Sequence, residues 1–328
     1  VPKVLTGAPP ATPWAAKRAD DDYGKSASPN WREVDWQSLL GQLEIEGRRV
    51  NYVSLGHGDG APIVFVHGLG GCWQNWLENL PFFAQRRRVV ALDLPGHGSS
   101  EMPREKISIS GYGRTVNELC ERLELGQVDL VGNSMGGFVA AEVALQFPER
   151  VNRVVLVSAA GITSADLKRS PGPVVLKIGA ALATYTATRF KQIAARPMTR
   201  HFALSLVARH PSLLKPDLVY EGLMKGSGKE GFDDALRATL DYDFRDRLDD
   251  VGASTLIVWG RDDAVLPSRD ADEFERLISN SRKAVLDDTG HIPMVERPAA
   301  FNDCVGGFLE GEAAGAPAEG SSEEAAAA

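Results

Sequence analysis

Gly132-Asn133-Ser134-Met135-Gly136 stands between the apolar run Val128 to Val131 and the helix-like run Phe138 to Phe147. Such a stretch reads as a strand turning sharply into a helix, with a hydroxyl at the apex. The turn forces Ser134 into a sparsely populated backbone conformation, and Gly132 and Gly136 lack the side chains that would collide beneath it. Its setting makes the serine a candidate nucleophile.

Working outward, Gln42 to Glu46 and Arg49 to Ser54 form an expected hairpin joined at Gly47. Six short runs follow, rich in valine, isoleucine or leucine: Ile63 to Val66, Arg88 to Leu92, Val128 to Val131, Val154 to Val157, Thr255 to Trp259 and Lys283 to Leu286. Strands covered on both faces have that composition. Trp73 to Gln85, Ile109 to Leu125, Gly136 to Phe147, Arg269 to Ile278 and Ala299 to Leu309 are long enough to be crossover helices. The alternation predicts an α/β fold with an eight-stranded, mostly parallel sheet.

The interval from Val157 to Thr255 is too long for one crossover. Val174 to Ala183, Phe202 to Val207 and Leu214 to Met224 carry helical apolar patterning. Residues 162–234 are therefore expected to be an inserted helical cap, entered through Pro171-Gly172-Pro173 and closed by a return helix near Ala235 to Leu240. The core comprises 31–161 and 235–310. Residues 1–30, rich in proline, alanine and small polar groups, read as an extended or loosely docked arm. Residues 311–328, of alanine, glutamate, glycine and serine, read as a disordered tail.

Ligand crevices of open parallel sheets lie at the carboxyl ends of the strands. Gly260-Arg261-Asp262-Asp263 ends one strand, and Asp287-Asp288-Thr289-Gly290-His291 follows the next. Ser134, an aspartate and His291 thus come in the order nucleophile, acid, histidine. A free serine hydroxyl is a poor nucleophile, and a histidine titrating near neutrality suits the removal of its proton. The carboxylate orients the ring and stabilises the imidazolium. Asp263 and its neighbour Asp262 both lie within reach of that role in sequence. Val66-His67-Gly68-Leu69-Gly70-Gly71 forms a tight glycine-rich loop, so the Leu69 N–H and the Met135 N–H are the expected oxyanion donors. His67 and His97 read as bracing residues, and Asp93 to Ser100 as a turn shaping the rim.

These motifs together resemble the α/β-hydrolase family, over roughly Leu43 to Leu309: His67-Gly68, the Asp93 to Ser99 turn, the Gly132 to Gly136 elbow, Trp259-Gly260 with Asp263 and Pro267, and Gly290-His291. The resemblance implies Asp263 rather than Asp262 as the acid, Leu69 and Met135 as oxyanion donors, and a cap from Ile162 onward. It implies a serine esterase or monoacylglycerol-lipase-like hydrolase. A serine at 134 argues against the haloalkane dehalogenases and epoxide hydrolases, which use aspartate. The alternative is a carbon–carbon bond hydrolase of aromatic meta-cleavage products, which should carry a cap arginine to hold the substrate carboxylate; Arg196 and Arg200 could fill that role, but they read first as two surface arginines. The non-catalytic rival is a binding protein on an inherited hydrolase scaffold.

Trp73, Trp76, Phe82, Phe83, Val174 to Leu176 and Ala203 to Val207 suggest an apolar acyl or aromatic substrate, with Gly68, Gly70, Trp73, Leu204, Val265 and Ile292 lining the pocket. The formal charge of −8 is spread along the chain without a basic stripe, which argues against nucleic acid. The partner expected is a small-molecule ester. Cys72, Cys120 and Cys304 fit neither a disulfide framework nor a zinc site, and the six histidines are not paired at metal-ligand spacing. No cofactor or metal is implied. No 18-residue apolar run marks an integral membrane segment, and without a signal-peptide core a cytoplasmic location is expected. Oligomeric state has no signature in the sequence.

Overall fold

The computed structural model describes residues 7–167, 194–224 and 230–311. Eight strands form one sheet: β1 (Leu40–Ile45), β2 (Arg48–Leu55), β3 (Ile63–Val66), β4 (Val89–Leu92), β5 (Val128–Asn133), β6 (Val151–Val157), β7 (Ser254–Gly260) and β8 (Ser281–Leu286). Their order is β1-β2-β4-β3-β5-β6-β7-β8. β1 pairs antiparallel with β2, and β2 antiparallel with β4, whereas every pairing from β4 through β8 is parallel. The expected α/β-hydrolase architecture, with helices inserted after β6, is the one observed.

Alternation along the strands explains the two apolar layers. Val64 and Val66 of β3 join Val90, Leu92, Leu130 and Phe138 on one face, while Ile63 and Phe65 join Val89, Ala91, Val131 and Trp76 on the other. Because both faces are covered, β3, β4 and β5 are buried at every position. The Ile109–Arg122 helix starts at Ser108, whose hydroxyl accepts the Gly111 N–H at 3.0 Å, a standard N-cap. The Met135–Gln146 helix lies directly behind β5 and is buried from Met135 to Ala144, which explains its lack of a polar face.

Three expected helices differ. Trp73 to Gln85 is a 3-10 turn, Trp73–Trp76, followed by a short helix, Leu80–Ala84. Pro81 has no N–H and its ring obstructs the carbonyl four residues earlier, so one continuous helix cannot form. In the inserted segment a helix spans Pro197–Leu204, ahead of the expected Phe202 to Val207. The Leu214 to Met224 helix begins only at Pro216 and widens into a π-helical turn, Val219–Met224. Prolines at the first helical position set both starts. The return helix is Phe232–Asp241. The Pro171-Gly172-Pro173 entrance, the Val174 to Ala183 helix and the tail from 312 onward lie outside the described residues.

The arm makes specific contacts. From residue 7 it is docked on the core rather than loosely held. Tyr23 and Trp31 are buried. Buried Glu78 accepts the Ser26 hydroxyl at 2.9 Å, the Ala27 N–H at 2.9 Å and the Trp31 indole N–H at 3.0 Å. Arg297 pairs with Asp20 and Asp22. These contacts need no apolar period, so composition alone reads only as an extended or loosely docked arm. Among the described residues no helix is long and apolar enough to cross a membrane.

Candidate active site

Ser134 sits between β5 and the Met135–Gln146 helix with φ 56° and ψ −117°. A non-glycine residue held there costs about 1–3 kcal/mol, so the surroundings must over-determine it. They do: the Ser134 N–H donates to the Val157 carbonyl at 2.9 Å, and its own carbonyl accepts from Ala160 at 3.0 Å and Gly137 at 3.1 Å. A Cβ on Gly136 would stand 2.1 Å from the Val66 carbonyl oxygen at the end of β3. Gly136→Ala is therefore expected to push the elbow off β3 and lower stability by about 2–3 kcal/mol, read as the shift in urea unfolding.

Asp263 and His291 meet. The His291 Nδ1 lies 2.7 Å from the Asp263 Oδ2, and both side chains are buried. The other oxygen of Asp263 accepts the Val265 N–H at 2.7 Å and the Leu266 N–H at 2.9 Å, which locks the carboxylate plane. Asp262 instead faces Arg209, 3.6 Å away. The two loops touch through backbone, since a Cβ on Gly260 would come within 2.0 Å of the Gly290 carbonyl oxygen. Asn133, a residue sequence reasoning passed over, links them to the elbow: its amide donates to the His291 carbonyl at 3.1 Å and to the Val157 carbonyl at 3.2 Å. Only its place beside the serine could have flagged it.

The glycine-rich loop after β3 runs beside the serine, with the position of a Gly68 Cβ 3.2 Å from the Ser134 Cβ. Leu69 follows on that loop, and Met135 is the first residue of the helix, where the N–H has no intrahelical acceptor. His67 braces the loop: its Nδ1–H donates to the Gly68 carbonyl at 2.7 Å, and its Nε2 accepts the Leu94 N–H at 3.0 Å. Burial pulls its pKa down to about 4, so the ring stays neutral and can keep accepting at Nε2. Asp93 fixes the neighbouring turns, accepting the Trp73 N–H at 2.8 Å, the Asn51 amide at 2.9 Å and the Ser99 N–H at 2.8 Å. His97 is buried against His67, and burial lowers its pKa to about 3.

Of the expected pocket residues, Trp73, Leu204 and Ile292 are buried in one apolar cluster. Val265 does not join them; it packs against the opposite cluster with Leu69 and Met135. Gly70 forms the loop bend at φ 70°. Arg200, a candidate anchor for a substrate carboxylate, is buried and spends its guanidinium on backbone carbonyls: Ala194 at 2.5 Å, Ser212 at 2.9 Å and Pro211 at 3.4 Å. Arg196 is exposed at the start of the same helix. Among the described residues no three His, Cys, Asp or Glu side chains are grouped to hold a metal ion.

Comparison with known proteins agrees with this fold. A family model described as alpha/beta hydrolase fold matches residues 61–298. The chain is 33% identical over 82% of its length to the dihydrolipoyllysine-residue acetyltransferase component of an acetoin cleaving system from Pseudomonas putida, covering 68% of that protein. It is 30% identical to 2-hydroxy-6-oxo-2,4-heptadienoate hydrolase from Pseudomonas putida, over 78% of this chain and 91% of the relative. With 3-oxoadipate enol-lactonase 2 of Acinetobacter baylyi it shares 29% identity over 80% of this chain and 94% of the relative.

Proposed function

The chain belongs to the α/β-hydrolase family, and from that premise we propose that it hydrolyses a carbonyl substrate with Ser134 as nucleophile, His291 as base and Asp263 as orienting acid. The observation that carries this reading is the 2.7 Å His291–Asp263 contact at the carboxyl end of the sheet, tied through Asn133 to the strained serine. Residues 31–161 and 235–310 would be the catalytic core, and 162–234 the cap.

Ser134 Oγ attacks the carbonyl carbon as His291 Nε2 takes its proton, and Asp263 stabilises the resulting imidazolium. The Leu69 and Met135 N–H groups receive the oxyanion, each contributing about 3 kcal/mol in the transition state. As the tetrahedral adduct collapses, the leaving group departs with the proton from His291. Water, deprotonated by the same ring, then attacks the acyl-enzyme and releases the acid and the serine.

The leaving atom distinguishes two substrate classes. A carbon leaving group needs conjugation to carry the electron pair until His291 protonates it, as in a vinylogous diketone made by aromatic ring cleavage. This class has the better support: 2-hydroxy-6-oxo-2,4-heptadienoate hydrolase and 2-hydroxymuconate semialdehyde hydrolase are 30% and 29% identical to this chain over most of both lengths. The buried Trp73, Leu204 and Ile292 suit its apolar part. Ester hydrolysis is the second reading, favoured by the engagement of Arg200 with cap carbonyls and by the enol-lactonase relative.

Side-by-side kinetics decide between them. Purified protein is given a dienoic ring-cleavage product, followed by loss of its absorbance, and p-nitrophenyl esters from about two to sixteen carbons. A kcat/KM for the diketone at least tenfold above the best ester is the expected result. The reverse order makes the protein an esterase, and no turnover of either class ends the proposal.

A further inference from the structure

Five residues beyond His291, at the end of the short Pro293–Glu296 turn of helix, the carboxylate of Glu296 is completely buried. Its Oε1 accepts the Gly290 N–H at 3.0 Å and the Ile292 N–H at 3.1 Å. These are the N–H groups of the residues immediately before and after His291. Its Oε2 lies 2.9 Å from the same Gly290 nitrogen and accepts the Arg209 N–H at 2.7 Å and the Tyr23 hydroxyl at 2.6 Å. Arg209 belongs to the segment inserted between β6 and β7, two residues after Val207, whose carbonyl accepts the His291 N–H at 3.0 Å. Tyr23 belongs to the arm and in turn accepts the His210 N–H at 2.8 Å. One side chain thus gathers the histidine loop, the inserted segment and the arm.

Every one of these partners donates, which is the set an ionised carboxylate requires; a protonated one would turn an O–H toward donors. Burial nonetheless pushes the Glu296 pKa up, opposed by the hydrogen bonds themselves. The cations nearby are engaged with other acids: Arg297 with Asp20 and Asp22, and Arg209 with Asp262 and Asp288. A buried charge held by main-chain and hydroxyl donors costs stability that an apolar side chain of similar volume would not, so packing is a poor account of it. Its geometry accounts for it better: with the N–H groups of Gly290 and Ile292 fixed by Glu296 and that of His291 held by the Val207 carbonyl, the main chain through His291 has little freedom.

We propose that Glu296 is a positioning residue: it clamps the main chain on both sides of His291 and sets the approach of the imidazole to Ser134. The proposal rests on His291 serving Ser134 as base. Displacing a reacting group by about 1 Å costs on the order of a hundredfold in rate, so loss of the clamp should act on chemistry rather than on substrate binding.

The test compares the rate of Ser134 labelling by a fluorophosphonate, and kcat and KM on whichever substrate is turned over, across four proteins. Glu296→Gln keeps the shape but turns an amide NH2 toward a donor; labelling and kcat are expected to fall roughly 10- to 100-fold, with KM within about twofold. Tyr23→Phe, which removes a single donor from the carboxylate, should fall only a few-fold and supplies the readout if Glu296→Gln does not fold. Glu78→Gln is the control. That buried carboxylate also receives the arm, at Ser26, Ala27 and Trp31, but touches nothing of the histidine loop, so it should lower the melting temperature while the folded fraction labels at the wild-type rate.

Wild-type labelling rates in Glu296→Gln and Tyr23→Phe would overturn the proposal, as would a Glu78→Gln loss equal to that of Glu296→Gln. A wild-type protein that is not labelled, or a Ser134→Ala protein labelled equally well, would mean instead that the underlying assignment of Ser134 is wrong, and the role of Glu296 falls with it.

Discussion

Ser134→Ala is expected to lower kcat about a million-fold, the scale seen when the nucleophile of a serine hydrolase is removed, without changing the melting temperature. The two halves of this result have separate causes. On the proposed mechanism the loss follows because alanine offers His291 no hydroxyl at position 134, so the covalent route closes. Stability persists because alanine meets the same backbone strain at φ 56° as serine, and the bonds that hold the turn are main-chain ones, from Ser134 to Val157, Ala160 and Gly137. Residual turnover should come from the oxyanion donors acting on bound substrate with water. The check is kcat together with mass spectrometry of trapped protein: the wild type should carry an acyl adduct on the peptide containing residue 134, and the variant none. A variant within tenfold of wild type would remove Ser134 from the mechanism.

That elbow was legible in the sequence because its constraints are local. A short, mostly apolar run, two glycines spaced around a serine and an apolar helix behind it leave few other solutions, and the parallel strands read as largely apolar runs because both their faces are covered. The carboxylate partner of His291 was less legible: Asp262 and Asp263 are adjacent, local spacing does not separate them, and it is the resemblance that favours Asp263, which the structure turns toward His291 while Asp262 faces Arg209. Least legible were contacts that join distant parts of the chain. Tyr23 meets Glu296 across 273 positions, and Arg297 meets Asp20 across 277, so no window of sequence contains either pair. The arm reads as extended or loosely docked because hydrogen bonds, ion pairs and the isolated rings of Tyr23 and Trp31 hold it, and none of these makes an apolar period. Arg200 could be read as a substrate anchor because charge is visible in sequence, whereas the cap carbonyls that occupy it are not.

Asp263→Asn should lower kcat about ten-thousandfold at neutral pH, and the reason lies in which oxygen is already committed. Oδ1 of Asp263 accepts two backbone N–H groups, from Val265 and Leu266, so an asparagine can satisfy them only by keeping its carbonyl oxygen there. Its NH2 then replaces Oδ2, 2.7 Å from the His291 Nδ1. Two donors cannot share that contact. His291 must therefore present a bare Nδ1 and carry its proton on Nε2, the nitrogen that has to receive the proton of Ser134. The base is lost although no atom has moved far, and nothing in the substrate site changes, so KM should stay within about threefold while the fluorophosphonate rate falls with kcat. Asp262→Asn, one residue away and facing Arg209, should leave both rates within about twofold, because its carboxylate is directed at Arg209, 3.6 Å away, and not at the imidazole. Equal losses at 262 and 263, or an Asp263→Asn protein that keeps more than a tenth of wild-type kcat, would show that the imidazole gets its orientation from some other group.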